Sequence, residues 1–405
     1  MPDPTPARPD CVHPDSHAAG ASRAHSPTPT PPAGFAPVQY TPDVEVEQAG
    51  EAETIEGLRD ALLDMSKTMH AHTGHAMRSV HAKTFGVLKA TLTVRADLPE
   101  FLAQGLFARP ATYDAVVRFS TPPAERLDDR VSVPRAMALK VLDVPGERVV
   151  GSEDETTQDF LMVNGPVFVA PDAKGFLRNL RLLKATTDKA PTGKRLLSVV
   201  LRKTEAALEA VGGESKALKH MGGHPQTHPL GETFFTQVPL RYGEYIAKLS
   251  IALHAHALRA LTDQALQDPD DPDALTHAVQ QYFETNETAV WVLRAQLCTD
   301  LDSMPIEDAS VEWSEQDSPY MEVGTLEIAR QPALDPSRAR AWEDTLSFNP
   351  WHALTAHQPL GNVMRARRVA YPASVRFRAA ANGCPIHERQ AGDGASAPPP
   401  SVSGV

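Results

Sequence analysis

Apolar residues recur along the chain with two different periods. In the first stretch the intervals are three and four residues, which is the stripe of an amphipathic helix leading towards residue 78. The residues of this stripe are Ile55, Leu58, Leu62, Met65 and Met69. The period then shortens to two, because apolar and polar side chains alternate through residues 88–94 as they do in a half-buried strand. We therefore predict a helix followed by a β-rich region.

The rest of the chain repeats these two patterns. Further strand-like runs lie at 115–120, 137–144, 160–169, 232–238, 245–253, 290–298 and 321–329. Helix-forming segments lie between the runs at 172–187, 194–212 and 273–286. Two groups of about four strands, separated by helices, predict an α+β fold in which an antiparallel β-barrel or sandwich carries added helices.

Both ends of the chain differ in composition from its middle. Residues 1–45 consist largely of Pro, Ala, Ser, Thr and Asp, and residues 391–405 have a similar character. Such segments bury too little apolar surface to offset the entropy lost on ordering, so we expect two disordered tails. The functional domain is then expected to span residues 48–390, which is long enough for a sizeable core.

Composition narrows the range of partners and compartments. The formal net charge of −12 disfavours nucleic acid or an anionic membrane surface as the main partner, since both would repel the chain. The three cysteines, Cys11, Cys298 and Cys384, show no CxxC spacing, which is typical of a reducing compartment. No apolar run is long enough to span a bilayer, and the N-terminus lacks the pattern of a signal peptide. We expect a cytoplasmic protein whose ligand is a small molecule.

Four histidines lie close together near the end of the predicted helix. His70, His72 and His75 resemble part of the HxHxDH motif of metallo-hydrolases, but Gly74 stands where that motif has its aspartate. On a helix, His70 and His72 point about 200° apart and cannot share one ion. We therefore interpret these three as surface histidines and keep a hydrolytic zinc site as an alternative. His81 differs, because it lies where the helical pattern gives way to the strand pattern, and we expect it to project from a strand into the core.

Five segments, in the same order along the chain, resemble motifs of the catalase family. They read RSVHAKT at 78–84, VRFST at 117–121, PRAMALK at 134–140, NGPVF at 164–168 and RRVAYPASVRFR at 367–378. The last is similar to the family pattern RxxxYPDTxxxR, whose tyrosine binds the haem iron. Departures include Thr84 for a glycine, and Ala373 and Ser374 for the Asp-Thr pair. The resemblance implies the catalase-like antiparallel barrel, haem b with ferric iron as cofactor, and a compact catalase-related protein.

The same resemblance implies roles for individual residues. His81 is expected to be the distal acid–base group, with Ser120 orienting its ring and Asn164 as the distal asparagine. Tyr371 is expected to ligate the iron, and it can do so only as a phenolate, which an ordinary pKa near ~10 disfavours. Arg367, one helical turn earlier, is expected to stabilise that anion. The residues expected to contact the cofactor are Arg78, Val80, Arg118, Phe168, Phe176, Arg367 and Arg378.

Strand geometry and alignment bear on two of these roles. Arg118 and Ser120 are two residues apart in a predicted strand, so they share one face while Val117 and Phe119 occupy the other. The asparagine is ambiguous: without a gap the catalytic position falls on residue 163, and a one-residue deletion moves it to Asn164. The sequence is compatible with both alignments of the asparagine.

We therefore expect a haem-dependent oxidoreductase, a catalase-related peroxidase acting on hydrogen peroxide or organic hydroperoxides. One alternative is a hydroperoxide isomerase or dehydratase similar to allene oxide synthases, although that subclass carries threonine where this chain has Val80. A second alternative is a haem-binding protein without turnover. The electron donor is unspecified, and a homo-oligomer is compatible with the sequence.

Overall fold

The computed structural model describes residues 31–187, 225–254, 256–333, 343–383 and 386. The first long helix, α1, spans Glu51–Thr73 and ends where Gly74 adopts a φ of 70°. Glycine reaches this left-handed conformation without steric cost, and its N–H caps the helix by donating to the His70 carbonyl oxygen. The helix therefore stops before residue 78, earlier than the apolar stripe predicted.

The β-strands form two groups along the chain, as the alternating pattern predicts. The first group contains β1 (Lys83–Val94), β2 (Thr112–Thr121), β3 (Ala136–Val141) and β4 (Gln158–Val163). The second contains β5 (Phe234–Phe235), β6 (Leu240–Tyr242), β7 (Tyr245–Leu253), β8 (Thr288–Leu297) and β9 (Met321–Ala329). The accompanying α-helices are α2 (Ala173–Thr187), α3 (His256–Arg259), α4 (Ala274–Thr285) and α5 (Asn362–Asn382).

The nine strands pair antiparallel, and the sheet closes on itself. Its order is β5-β4-β3-β2-β1-β9-β8-β7, and β5 pairs in turn with β7, so that eight strands form a barrel while β6 extends from β7. The closing strand is short: Phe235 pairs with Val163 on one side and with Ser250 on the other. This topology confirms the predicted α+β fold and selects the barrel over the sandwich.

Alternation along the strands separates a dry core from a polar outer face. Val117 and Phe119 of β2 have no solvent exposure and lie in the barrel core. The ring of Phe119 stacks on that of Phe85 with centroids 5.9 Å apart, and its centroid lies 6.4 Å from the ring centroid of Trp291. Arg118, which lies between Val117 and Phe119 in sequence, lines a cavity outside this core. One strand thus serves both the core and the cavity.

A layer of helices packs beside the barrel. Leu58 of α1, Leu177 of α2 and Ala366 and Ala370 of α5 share one buried apolar cluster. The apolar stripe predicted for the first helix therefore faces other helices, and α5 is held at a fixed position next to the cavity. Among the described helices, none combines the length and the apolar character that crossing a membrane requires.

Two of the predicted strands extend furthest beyond the observed ones. The run predicted at 160–169 ends at Val163, and the run at 232–238 is reduced to Phe234–Phe235. The remaining residues of both runs lie in loops beside the cavity, where their side chains are not constrained to alternate. The helix predicted at 194–212 lies outside the described residues.

The folded part of the chain begins earlier than composition predicts. Val38, Tyr40 and Val44 belong to the segment predicted as a tail, yet they pack against a buried apolar cluster. The Tyr40 N–H also donates to the Glu244 carbonyl oxygen at 2.7 Å. These contacts correct the boundary predicted at residue 48. Residues 1–30 and 391–405 lie outside the described part of the chain.

Candidate active site

A cavity of about 870 Å³, counted with its mouth, lies between the barrel and the helical layer. Strands β2, β3 and β4 contribute one part of its wall, α5 contributes another, and the loop before β1 joins them. Its polar lining includes Arg78, His81, Arg118, Ser120, Tyr371 and Arg378. Its apolar lining includes Val80, Ala138, Leu161 and Ala370. Residues far apart in sequence therefore meet in one chamber.

His81 lies in the loop before β1 and not on a strand, which corrects the sequence prediction. Its φ is 57°, in the left-handed region that residues other than glycine adopt only when their surroundings impose it. Two backbone hydrogen bonds impose it here: His81 N–H donates to the Pro122 carbonyl oxygen at 2.8 Å and Ala82 N–H to that of Pro123 at 3.0 Å. The regular strand ladder begins only at Lys83, so the side chain of His81 is directed by the loop.

Two residues of β2 hold His81 from the barrel side. Ser120 Oγ lies 3.3 Å from His81 Nδ1, and Arg118 Nη2 donates to the His81 carbonyl oxygen at 2.7 Å. Burial, and then the guanidinium groups of Arg118, Arg367 and Arg78, lower the pKa of His81 to about 3. The imidazole is therefore neutral near pH 7 and can accept a proton.

Three arginines form a cage at one end of the cavity. We call Arg78, Arg118 and Arg378 the arginine cage; Arg118 and Arg378 are 3% and 4% exposed. The carboxylate of Glu343 binds Arg78 and accepts from Arg118 Nε at 3.1 Å, while Arg378 Nη1 donates to the Glu343 carbonyl oxygen at 2.9 Å. Burial lowers the pKa of Arg118 to about 9 and that of Arg378 to about 10, so both remain charged near pH 7. The cage therefore gathers three guanidinium groups around the carboxylate of Glu343, while the charge of Asp344 acts on Arg78 and Arg378.

Tyr371 lines the cavity from α5. Its hydroxyl makes no hydrogen bond to any residue of the described ranges, whereas Ser374, one turn later, accepts from Ser79 Oγ at 2.9 Å. Ser79 in turn lies 2.8 Å from Ser66 of α1 through their hydroxyl oxygens. This chain of hydroxyls fixes α5 against the loop that carries His81, so that the tyrosine and the histidine share one chamber.

Arg367 lies one turn before Tyr371, as the motif spacing requires, but its contacts differ from the prediction. Its Nη1 lies 3.6 Å from Met364 Sδ, and its guanidinium stacks over the ring of Phe168 at 5.5 Å. No hydrogen bond joins it to Tyr371 in the described structure. Both residues line the same cavity, and the stabilisation of a phenolate by Arg367 stays a prediction.

The structure does not support a catalytic role for Asn164. Its Oδ1 accepts from Arg135 N–H at 2.8 Å, and its Nδ2 binds Glu232, which also forms a salt bridge with Arg135. The residue that lines the cavity at the end of β4 is Val163, in agreement with the ungapped alignment. Asn164 is oriented away because it follows the last strand residue and satisfies a buried charge pair behind the wall.

Phe168 and Phe176 support the wall and do not line it. Their ring centroids are 5.1 Å apart, and Phe168 carries the Arg367 guanidinium on its face. Phe176 packs against the apolar cluster shared by the helices, as does Val80, which does line the cavity. Direct contact of the two phenylalanines with a cofactor stays a prediction.

The histidines near the end of α1 do not form a metal site. His72 is exposed, His75 Nε2 lies 2.7 Å from Asp344 Oδ1, and the ring of His70 meets that of Phe377 edge-on at 6.1 Å. Within the described ranges, no group of three or more His, Cys, Asp or Glu side chains could hold a metal ion. The hydrolytic zinc alternative therefore has no support.

Sequence reasoning missed Glu343 and Gln237. Glu343 touches the arginine cage, and Gln237, with a φ of 64°, lines the cavity and donates to the carbonyl oxygen of Gly165 at 3.0 Å. Neither belongs to a recurring motif, and neither has a fixed spacing from the arginines. Only the tertiary fold brings them to the site, so the sequence carried no signal for them.

The residues present fit a haem group. Haem combines a flat apolar macrocycle with two carboxylates and an iron that binds tyrosinate. The cavity offers an apolar wall, the arginine cage and the free hydroxyl of Tyr371. Arg378 Nε is buried without a hydrogen-bond partner among the described residues, so an anionic ligand could accept from it.

Solved structures of similar fold include three catalases. A fungal catalase gives a TM-score of 0.53 at 16% identity, over 77% of this chain and 62% of that chain. Catalase A from Saccharomyces cerevisiae gives 0.52 at 15%, over 77% and 63%, and a bacterial catalase gives 0.52 at 17%, over 92% and 71%. This chain thus spans less than two thirds of the length of the first two. At these identities the likeness is one of fold.

Sequence comparison identifies the family. A search of curated proteins finds no significant match. The family model described as Catalase, however, matches residues 39–387, which include every segment that lines the cavity. Together with the closed eight-stranded barrel, this match means that the chain belongs to the catalase family.

Proposed function

We propose that this protein is a haem-dependent oxidoreductase, a catalase-related peroxidase acting on hydrogen peroxide or organic hydroperoxides. The observation that carries the proposal is the meeting of a neutral base, His81, and an unbonded phenol, Tyr371, in one cavity beside the arginine cage. Tyr371 would ligate the iron of haem b, and the cage would bind the haem carboxylates. Haem, when bound, supplies the iron at which the peroxide O–O bond is cleaved.

His81 is suited to move the proton of a hydroperoxide. Since Ser120 engages Nδ1, Nε2 is the ring nitrogen left for the substrate. Nε2 would accept the proton from one peroxide oxygen and return it to the oxygen that leaves. The low pKa of about 3 favours the second half of this transfer, because burial and three nearby guanidinium groups disfavour the imidazolium.

The distal wall favours peroxidation over disproportionation of hydrogen peroxide. At the end of β4 the cavity is lined by Val163, and the amide of Asn164 is engaged behind the wall by Glu232. Val163 thus offers no side-chain amide that could hold a second peroxide beside His81, and the amide of Gln237, which also lines the cavity, already donates to the carbonyl oxygens of Gly165 and Val167. An organic electron donor, whose chemical class is open, would complete the cycle.

The test is haem loading of the purified protein and of Tyr371→Phe. Wild type supplied with hemin should bind one haem per chain and give a Soret band, whereas Tyr371→Phe should lose stable loading because the iron loses its protein ligand. Tyr113→Phe is the matched control, since Tyr113 lies at the start of β2 and does not line the cavity. Full haem occupancy and peroxide turnover in Tyr371→Phe would refute the assignment.

A further inference from the structure

Glu343 is the one side-chain carboxylate of the described residues that bonds to the arginine cage. One of its oxygens binds Thr84 Oγ1 and lies 3.1 Å from Arg118 Nε, and the other binds Arg78 and lies 3.3 Å from Arg118 Nη2. Both oxygens are therefore engaged in charge-assisted hydrogen bonds, the geometry that a bound carboxylate ligand would have. Glu343 is also the outermost member of this group: its side chain is 23% exposed, against 3% for that of Arg118.

This difference in exposure decides which group can move. Arg118 is anchored to the His81 carbonyl oxygen and Arg78 to that of Leu346, each at 2.7 Å, so the guanidinium groups are held in place by backbone. The Glu343 carboxylate has no such backbone anchor among the described residues, and its side chain is partly exposed. Glu343 is therefore the member of the group whose displacement should cost least.

We propose that Glu343 is an internal competitor of the cofactor: it occupies the arginine cage in the haem-free protein and is displaced by a haem carboxylate. The inference rests on the proposed function, because it assumes that haem is the ligand of this cavity. Two consequences follow. Glu343 stabilises the empty site by neutralising buried like charges, and it weakens haem binding by the free energy of the contacts that must be broken.

Hemin titration of the haem-free protein, followed at the Soret band, tests the proposal. Glu343→Gln should bind hemin about tenfold more tightly than wild type, as expected when a partly exposed ion pair no longer competes. The haem-free Glu343→Gln protein should unfold at a lower temperature than wild type, because the cage loses its counter-charge. Hemin dimethyl ester, which lacks free carboxylates, should bind wild type and Glu343→Gln equally.

An exposed carboxylate away from the cavity supplies the matched control. Glu287 pairs with Arg330 at 3.3 Å and its side chain is 83% exposed, so Glu287→Gln makes the same substitution without touching the arginine cage. Its hemin affinity should equal that of wild type. Weaker or unchanged hemin binding by Glu343→Gln, or an equal gain with the dimethyl ester, would overturn the proposal. If wild type itself bound no hemin, the proposed function would fail, and the competition would fail with it.

Discussion

The ion pair between Lys140 and Asp159 supports the cavity wall from inside the protein. The two residues are paired across β3 and β4, neither side chain has solvent exposure, and Lys140 Nζ lies 2.9 Å from both carboxylate oxygens. The Asp159 carboxylate also accepts from Asn349 N–H at 2.9 Å. Asn349 directly follows Ser347 and Phe348, which line the cavity. The pair therefore connects the barrel to the wall of the site.

Removal of Lys140 from this ion pair should lower the free energy of unfolding. Burial raises the pKa of Asp159, but Lys140 and His352 lower it by more, so the carboxylate is ionised and dependent on the ammonium. Lys140→Met removes the main counter-charge and leaves the buried carboxylate with the His352 ring, 3.5 Å away, and the Asn349 N–H, which we expect to lower the free energy of unfolding by about 3–5 kcal/mol. In this variant the pKa of Asp159 should rise, because burial is then opposed only by His352 and the Asn349 N–H. The loss should then be smaller at pH 5 than at pH 8, where the carboxylate must be charged.

Urea unfolding of the haem-free protein, followed by tryptophan fluorescence at pH 8 and pH 5, measures both effects. The double variant Lys140→Met with Asp159→Leu should recover most of the loss, since an apolar pair needs no counter-charge. Arg330→Met is the control: Arg330 forms a 3.3 Å pair with Glu287 in which the side chains are 54% and 83% exposed, so its loss should be hard to detect. A loss below about 1 kcal/mol in Lys140→Met, or one independent of pH, would refute the reasoning.

Two further predictions concern pH and the reassigned asparagine. Burial lowers the pKa of His357 to about 4 from an ordinary 6.5, so the unfolded chain binds more protons between these values and stability falls as the pH falls through this window. Between pH 7 and pH 5, His357→Gln should lose about 2 kcal/mol less unfolding free energy than wild type, and equal losses would contradict this. Asn164→Ala should lower stability by about 1–3 kcal/mol, because Glu232 loses a partner, yet keep haem loading and peroxidase rate. A rate loss comparable to that expected for a catalytic group would restore Asn164 to the mechanism.

The barrel could be predicted where strands alternate regularly over a long run. The strands at 245–253 and 321–329 begin and end at the residues that the pattern indicated. Closure could not be predicted, because it depends on Phe234 and Phe235, two residues that pair with both neighbouring strands. A strand this short has no period, and its pairing is decided by partners distant in sequence.

The site could be predicted only as far as local geometry extends. Alternation correctly assigned Arg118 and Ser120 to one face of β2, and helical spacing placed Arg367 one turn before Tyr371 on α5, where both line the cavity. The conformation of His81 was not readable, since its φ of 57° is imposed by hydrogen bonds to the loop that follows β2. Glu343 was missed for the same reason: its partners are defined by the tertiary fold.

An irregularity in β1 connects the packing of the barrel core to the arginine cage. Thr84 pairs with Ser120, but Gly86, and not Phe85, pairs with Phe119, so one extra residue is inserted into the strand. Phe85 enters the core and stacks on Phe119, while a Cβ on Gly86 would also meet the Phe119 ring, at 3.3 Å. Phe85 and Gly86 thus both face inwards, although they are successive. The side chain of Thr84 therefore faces outwards, where its hydroxyl binds Glu343 at the arginine cage. In a regular strand Thr84 would share the inward face of Gly86, so the bulge both fills the barrel and places a hydroxyl at the site.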